Sequence, residues 1–493
     1  MTASPDLPGH LIQAASWSAM LGVWRNDDGP AVVSAGARWS GAELLERAAG
    51  AARHLRSLTD HEGPVPALLA SSGPAVAYMV GGAGCRRPLA PLGPRLTVAE
   101  LGPCLDGLGG DLLLTEADFL PLAEELAERC RMRLAVIDDP VYRSGPPLDL
   151  TADPAATAFV LHTSGTTGRP KAVPYQQGRL ALRTRLNAGL CQLGPGCVYA
   201  TASPFHHIAG FGNYAVALAA GAALAPLPRF TVEAWTALAG LHVTHALTVP
   251  TVLEMLLDAG VARLPELRVL QYGAAPIHPD TLRRTLDSLP GVGLVNLFGQ
   301  TEGSPITCLG PADHRRIAID GRLELLRSVG RAAPGVEVRI DGPDEHGVGE
   351  VLARADHFFL PAADGWLHTG DLGRLDGAGY LFLSGRRGDK IIRGGENIYP
   401  VEVEQVLEQH PGVREAAVIG IPDRRWGELV EAVVVPARPA QPPDPEELRA
   451  FARSRLAGFK VPSRWRMVDE LPRNASGKLL RRRLLPSSED ENA

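Results

Sequence analysis

Thr163-Ser164-Gly165-Thr166-Thr167-Gly168-Arg169-Pro170-Lys171 places four hydroxyls, two glycines and a lysine within nine residues, directly after the apolar run Ala158-Phe159-Val160-Leu161. A glycine has no Cβ, so main-chain N–H groups beside it can approach a phosphate closely. The hydroxyls add donors and the lysine adds positive charge. No Gly-Lys-Ser/Thr closes the stretch, so it is not a Walker A loop. Taken alone it also fits a flexible Ser/Thr/Gly connector, and the flanking chain decides between the two.

Upstream and downstream of this loop, strand-like apolar runs alternate with amphipathic helices. Val65–Ala70, Asp111–Thr115 and Leu134–Asp138 precede it; His245–Pro250 and Val269–Gly273 follow. Continuous apolar runs bounded by Gly and Pro suit strands buried on both faces of a parallel sheet, with helices as crossovers. From about Ser328 the texture changes. Val336–Ile340 alternates with period two and Gly349–Arg354 follows a Gly-rich turn, which predicts antiparallel strands of a small barrel-like subdomain. Beyond Gly385 a compact α+β segment is expected. A helix starts at Pro400 with Val403, Val406 and Leu407 on one face; strands follow at 416–419 and 432–435; another helix starts at Asp444.

A chain of 493 residues exceeds a single hydrophobic core, so several domains are expected. The formal charge of −6, without a face-long basic stripe, argues against a general nucleic-acid binder. The run Arg481-Arg482-Arg483 is short and suits a solvated helix face or a local anion contact. Six scattered cysteines with no C-x-x-C pair fit reduced thiols, and Met1 to Leu11 shows no basic-then-apolar leader pattern, so the expected location is cytoplasmic. Tyr214 to Pro228 is too short and too interrupted by Gly and Pro to span a bilayer, and is read as a buried helix and strand. No G-x-S-x-G occurs, which disfavours a serine hydrolase.

Five further motifs accompany the loop: Pro204-Phe205-His206-His207-Ile208-Ala209-Gly210, Gly273-Ala274-Ala275-Pro276, Asn296-Leu297-Phe298-Gly299-Gln300-Thr301-Glu302, Trp366-Leu367-His368-Thr369-Gly370-Asp371, and Gly385-Arg386 through Asn397 with its C-terminal companion Pro472-Arg473-Asn474-Ala475-Ser476-Gly477-Lys478. In order and spacing the set resembles the adenylate-forming superfamily of acyl-CoA synthetases, luciferases and peptide-synthetase adenylation domains, over nearly the whole chain. The resemblance implies an α/β architecture. A large N-terminal domain, 1–387, would hold two α/β layered lobes and the barrel-like subdomain. A mobile α+β C-terminal domain, 389–493, would turn about a hinge near Gly388.

It also implies roles. Thr163, Ser164, Gly165, Thr166, Thr167, Gly168 and Lys171 would hold ATP phosphates. Gly273, Ala274, Ala275, Pro276, Asn296, Phe298 and Gly299 would lie along the adenine, Phe298 standing where a tyrosine is usual. Thr301 would bind the α-phosphate and Glu302 would hold Mg²⁺. Asp371 would accept from both ribose hydroxyls and Arg386 would contact ribose or phosphate. His207, Ile208, Gly210, Leu297 and Gly299 would line the acyl site, although a lone histidine is more often a satisfied core residue. Gly210, Gly212 and Ala209 are expected to leave room for a bulky apolar acyl group. Lys478 would bridge carboxylate and α-phosphate. Gly394, Gly395 and Glu396 would border the pantetheine arm of CoA. Trp426 and Phe459 would flank its nucleotide end, and fit ordinary packing equally well.

The implied activity is ATP-dependent activation of a hydrophobic carboxylic acid as acyl-AMP, followed by transfer to CoA. No carboxylate stands near His207 to hold an α-amine, so an amino-acid substrate is not expected. Alternatives are a carrier-protein thiol as acceptor, an enzyme performing mainly thioesterification of a preformed adenylate, and a nucleotide-binding protein without turnover. Gly388 departs from the Asp or Lys usual at the hinge, which puts the balance of the two half-reactions in question.

Overall fold

Four of the five apolar runs become strands buried along their whole length, whereas Arg133–Val136, at the edge of its sheet, leaves Val136 43% exposed. In this computed structural model the described residues are 7–34, 36–137, 146–164, 170–393, 396–423, 426–474 and 478–485, with backbone alone at 164, 396, 397 and 427. Leu89–Leu92, Val65–Leu68, Leu112–Thr115 and Arg133–Val136 form a parallel four-stranded sheet in that order. The helices Val98–Leu105 and Leu120–Cys130 cover it, packing Leu101, Cys104, Ala123 and Leu126 onto Leu68 and Leu113.

A larger sheet has six consecutive parallel strands: Pro30–Val33, Ala223–Leu224, Val198–Thr201, His245–Thr248, Val269–Tyr272 and Gly293–Gln300. Gly303–Leu309 and Ser328–Ala332 extend it antiparallel, and Arg38–Ser40 closes the other edge. Loops at the carboxyl ends of parallel strands are where α/β sheets hold ligands. Those loops here begin at Ala202, Gly273 and Thr301.

Thr157–Ser164 joins neither sheet. It pairs with Pro170–Gln176 as a two-stranded hairpin, Thr163 opposite Lys171. Phe159, Leu161, Val173 and Tyr175 are among its buried residues, and the Phe159 and Tyr175 rings stack at 4.5 Å. The Tyr214 to Pro228 stretch forms the helix Asn213–Ala219 and the strand Ala223–Leu224, both buried.

Packing divides the chain into two compact units, 1–337 with 354–367, and 338–353 with 368–493. In the second, Glu337–Asp341, Gly349–Arg354, Leu367–Leu375 and Tyr380–Arg386 follow one another as neighbours in sequence order. A second sheet carries Glu396–Ile398, Ile391–Arg393, Gly427–Pro436 and Val413–Asp423, with Arg464–Met467 parallel to Gly427–Pro436. The strands expected at 416–419 and 432–435 are longer than their apolar centres, because polar flanks continue the antiparallel ladder. Helix Pro400–Leu407 buries Val403 and Leu407, and Pro445–Arg453 is capped by Asp444 accepting from Glu446 N–H. No helix of the described residues is long and apolar enough to cross a membrane. All six thiols are free.

Candidate active site

The sequence-derived residues divide between the two units. In the first, the 157–176 hairpin fixes both ends of the phosphate-type loop. Lys171 is exposed beside it. Gly165, Thr166, Thr167 and Gly168 lie outside the described residues, as does the side chain of Ser164. Thr163 Oγ1 donates to Glu302 Oε1 at 3.3 Å. Two motifs far apart in sequence thereby meet, and one of them is the carboxylate assigned to a metal.

Thr301 and Glu302 form the tight corner between Gly293–Gln300 and Gly303–Leu309. The corner is held from behind by the buried Tyr175, whose hydroxyl donates to Thr301 O at 2.6 Å. Burial raises the Tyr175 phenol far above its ordinary value, so it remains a donor. Gly299 is required here: a Cβ would stand 2.9 Å from Gly303 O. Asn296 donates to Tyr272 O at 3.2 Å, while its Oδ1 is buried without a partner. Ala274 has φ of 65°, a left-handed conformation that costs a non-glycine residue energy and is concentrated at ligand-binding loops.

His207 opens the turn Ile208–Gly212. Its ring packs on His206 with centroids 4.2 Å apart. Burial, with a smaller contribution from Arg95, holds its pKa down to about 4, so it is a neutral imidazole at physiological pH. The expectation that Gly210 and Gly212 open space for an acyl group is corrected by the packing. A Cβ on Gly210 would collide with Pro204 O, and one on Gly212 would meet Ile208 Cγ1 at 3.0 Å. Gly210 permits a close backbone approach, and at Gly212 the Ile208 side chain occupies the space a Cβ would need.

In the second unit, Asp371 and Arg386 are cross-strand partners on Leu367–Leu375 and Tyr380–Arg386. Arg386 Nε stands 3.0 Å from Asp371 Oδ1, and Asp371 is only 8% exposed. Burial raises the Asp371 carboxyl; Arg386 and then Lys478 oppose that rise. Lys478 is lowered by desolvation and next by Arg386, with Asp371 opposing. The three predicted groups therefore lie within one another's fields. Thr369 Oγ1 accepts from Asp371 N–H at 3.0 Å and donates to Val351 O at 2.7 Å, which fixes the turn at Gly370 (φ 68°).

The segment bearing Lys478 is pinned on both sides. Lys478 N–H donates to Asn474 Oδ1 at 2.8 Å, and Arg473 pairs with Glu415 at 2.5 Å. Arg481 forks onto buried Glu404 at 2.5 and 2.7 Å and reaches Asp389 at 3.6 Å, so the basic run contributes a local anion contact. Gly388 sits in the turn Arg387–Asp389, where an added Cβ would meet nothing.

Trp426 and Phe459 are joined by Arg393. Its guanidinium lies 5.6 Å from the Trp426 ring centroid and donates to Phe459 O at 2.9 Å. Trp426 is 42% exposed. Gly394 and Gly395 lie outside the described residues, as does the side chain of Glu396. Sequence reasoning missed Tyr175 and Arg393, and also Glu350, which accepts from Gly370 N–H at 3.2 Å and from Arg387 at 2.9 Å. Only a tyrosine placed between the lysine and the next helix, or an arginine two residues before Gly395, could have signalled the first two.

With this geometry in hand, comparison with known proteins is informative. Residues 23–360 match the family model of the AMP-binding enzyme, and residues 402–478 that of the AMP-binding enzyme C-terminal domain. The chain is 35% identical over 429 residues to the fatty acid–[acyl-carrier-protein] ligase ScoC of Streptomyces coeruleorubidus, covering 80% of this chain and 81% of that protein. It is 38% identical over 361 residues to an indoleacetate–CoA ligase of Aromatoleum aromaticum, covering 68% and 69%. Among solved structures, the amide bond synthetase McbA from Marinactinospora thermotolerans superposes with a TM-score of 0.85 at 29% identity, covering 95% and 99%.

Proposed function

The chain belongs to the AMP-binding enzyme family, and from that membership we propose an AMP-forming acid–thiol ligase that activates a hydrophobic carboxylic acid with ATP and passes the acyl group to CoA. A carboxylate oxygen attacks the α-phosphorus and pyrophosphate leaves. The CoA sulfur then attacks the acyl carbon and AMP leaves. The observation that carries this is the hydrogen bond between Thr163 and Glu302, which puts the phosphate-type loop beside a carboxylate.

The first step brings two anions together, so charge neutralisation and positioning are its main demands. Lys171 and the loop it closes hold phosphates, Thr301 the α-phosphate, and Lys478 the carboxylate and α-phosphate together. Asp371 accepts from the ribose, and Arg386 sets its orientation through their ion pair. Neutral His207 offers a hydrogen bond at the acid and no charge. Glu302 suits Mg²⁺: it is a carboxylate beside Thr163 of the phosphate-type loop, and Mg²⁺ binds through one or two carboxylates plus substrate phosphates. Held there, it would neutralise phosphate charge.

In the second step, 389–493 turns about Gly388, withdrawing Lys478 and presenting Gly394, Gly395 and Glu396 to the thiol. Arg393 between Trp426 and Phe459 favours a nucleotide at this face, because a guanidinium over an indole accepts both a phosphate and a stacked base. That supports CoA. The likeness to an acyl-carrier-protein ligase favours a second reading in which a carrier thiol takes the acyl group. The six free thiols support a cytoplasmic setting.

The test is a pyrophosphate-release screen across aromatic, fatty and polycyclic acids, with mass detection of product from CoA and from a phosphopantetheinylated carrier. Acid-dependent pyrophosphate release with acyl-CoA formation is expected. Release with no thioester on either acceptor would reject the second step as written.

A further inference from the structure

Arg183, on helix Gln177–Cys191, is enclosed to 2% exposure. Its Nη1 donates to Gly212 O at 2.9 Å, Nη2 to Asn213 Oδ1 at 2.7 Å and Nε to Ser304 O at 3.2 Å. All three acceptors are uncharged. The ionisable groups coupled to it are Tyr175, Tyr199 and Cys191, each raised by burial, and His357, held down to about 4, so all four are neutral at physiological pH. Among the described residues no anion pairs with this guanidinium, so its charge is desolvated without a counter-ion; an apolar side chain of the same length would avoid that cost while leaving three acceptors without their donor. Stability alone therefore does not account for a guanidinium here.

Its partners are informative. Gly212 and Asn213 end the turn that begins at His207, and Ser304 follows the corner that carries Thr301 and Glu302. One rigid fork thus spans the two stretches that, in the acid-activating reading above, meet the carboxylate and the phosphates. We infer that Arg183 is a positioning residue for adenylation: it fixes the spacing of the His207–Asn213 turn from the Thr301–Ser304 corner, and its unneutralised charge favours the two anions that must meet there. The inference rests on that reading.

The test compares Arg183→Met, Arg183→Lys and Asn213→Ala in the full chain with wild type. It uses ATP–pyrophosphate exchange with an accepted acid, thioester formation from supplied acyl adenylate, and thermal melting. Arg183→Met should lose roughly 30- to 100-fold in exchange kcat, with the KM for ATP changed by less than about threefold, because misplacement of reacting groups is felt in the transition state. Thioester formation should fall by no more than about threefold, and the melting temperature should move only modestly, because the buried charge removed and the three acceptors left without a donor act in opposite directions. Arg183→Lys keeps the charge and loses the fork, and should fall between Met and wild type. Exchange within about twofold of wild type in Arg183→Met, or equal loss in both half-reactions, overturns the inference. If Arg183→Met does not fold, the same split in Arg183→Lys and Asn213→Ala supports it and its absence overturns it. If wild type exchanges no pyrophosphate with any acid, the functional reading fails and this inference fails with it; normal wild-type exchange with indifferent variants removes the inference alone.

Discussion

Single residues carry the chemistry through charge. Lys478 is lowered by desolvation and by Arg386, with Asp371 opposing the fall, and in the proposed mechanism its charge serves two anions that must meet. Lys478→Ala is expected to cost about 100- to 1000-fold in adenylation, the size of losing one preorganised charged donor. Thioester formation from supplied acyl adenylate should persist, and equal loss of both would refute the assignment. Residues of this kind were legible in the sequence because the chemistry demands a particular side chain at a particular spacing. Tyr175, Arg183 and Arg393 were not legible. Most of their partners are main-chain carbonyls, of Thr301, Gly212, Ser304 and Phe459, and a carbonyl leaves no trace in the residue code.

At the scale of elements, two glycines make opposite predictions. Gly210 faces Pro204 O with no room for a methyl group, and the turn it closes begins at His207. Gly210→Ala should displace that turn and lower kcat/KM for the acid by about 100-fold, since a shift on the order of 1 Å has that effect; unchanged kcat/KM would show that the turn does not position the acid. Gly388 faces open space. Gly388→Ala should preserve both half-reactions, whereas Gly388→Pro, by fixing φ, should keep adenylation and slow thioester formation. Equal thioester rates in the two variants, measured by rapid quench, would remove Gly388 as a hinge. The parallel strands were readable from their apolar runs, because burial on both faces dictates composition. The hairpin pairing of Thr163 with Lys171 was not, because nothing in an apolar run names its neighbour.

For the whole molecule, buried histidines set the acid limit. His207, His245, His314 and His357 are each held down to about 4, and His206 is held well below its ordinary value, with burial the largest cause in every case. Unfolded, each binds a proton near pH 6.5, so between pH 6.5 and 4 the unfolded chain holds more protons and stability falls as pH falls. Each of the four held at about 4 contributes up to about 3 kcal/mol across that window. Glu408, pushed up to about 8, works the other way from pH 4.5 to 8; Glu116, Asp371 and Glu404, whose carboxyls burial also raises, act in the same direction as Glu408, while His10, His162 and His278, lowered by burial, side with the five. Melting temperature should therefore drop steeply below pH 6.5; a flat profile from pH 7 to 5 would contradict the buried neutral histidines. One topological fact reaches furthest. Because the chain passes between its two compact units at 337–338, 353–354 and 367–368, no single break in the polypeptide yields both as intact fragments. A gene split at codon 388 would strip Val348 and Leu372 of Tyr399, the residue that completes their small apolar cluster. The longer half should emerge from a ribosome sticky and dependent on its missing remainder, and co-expression of the two pieces should rescue what neither achieves separately.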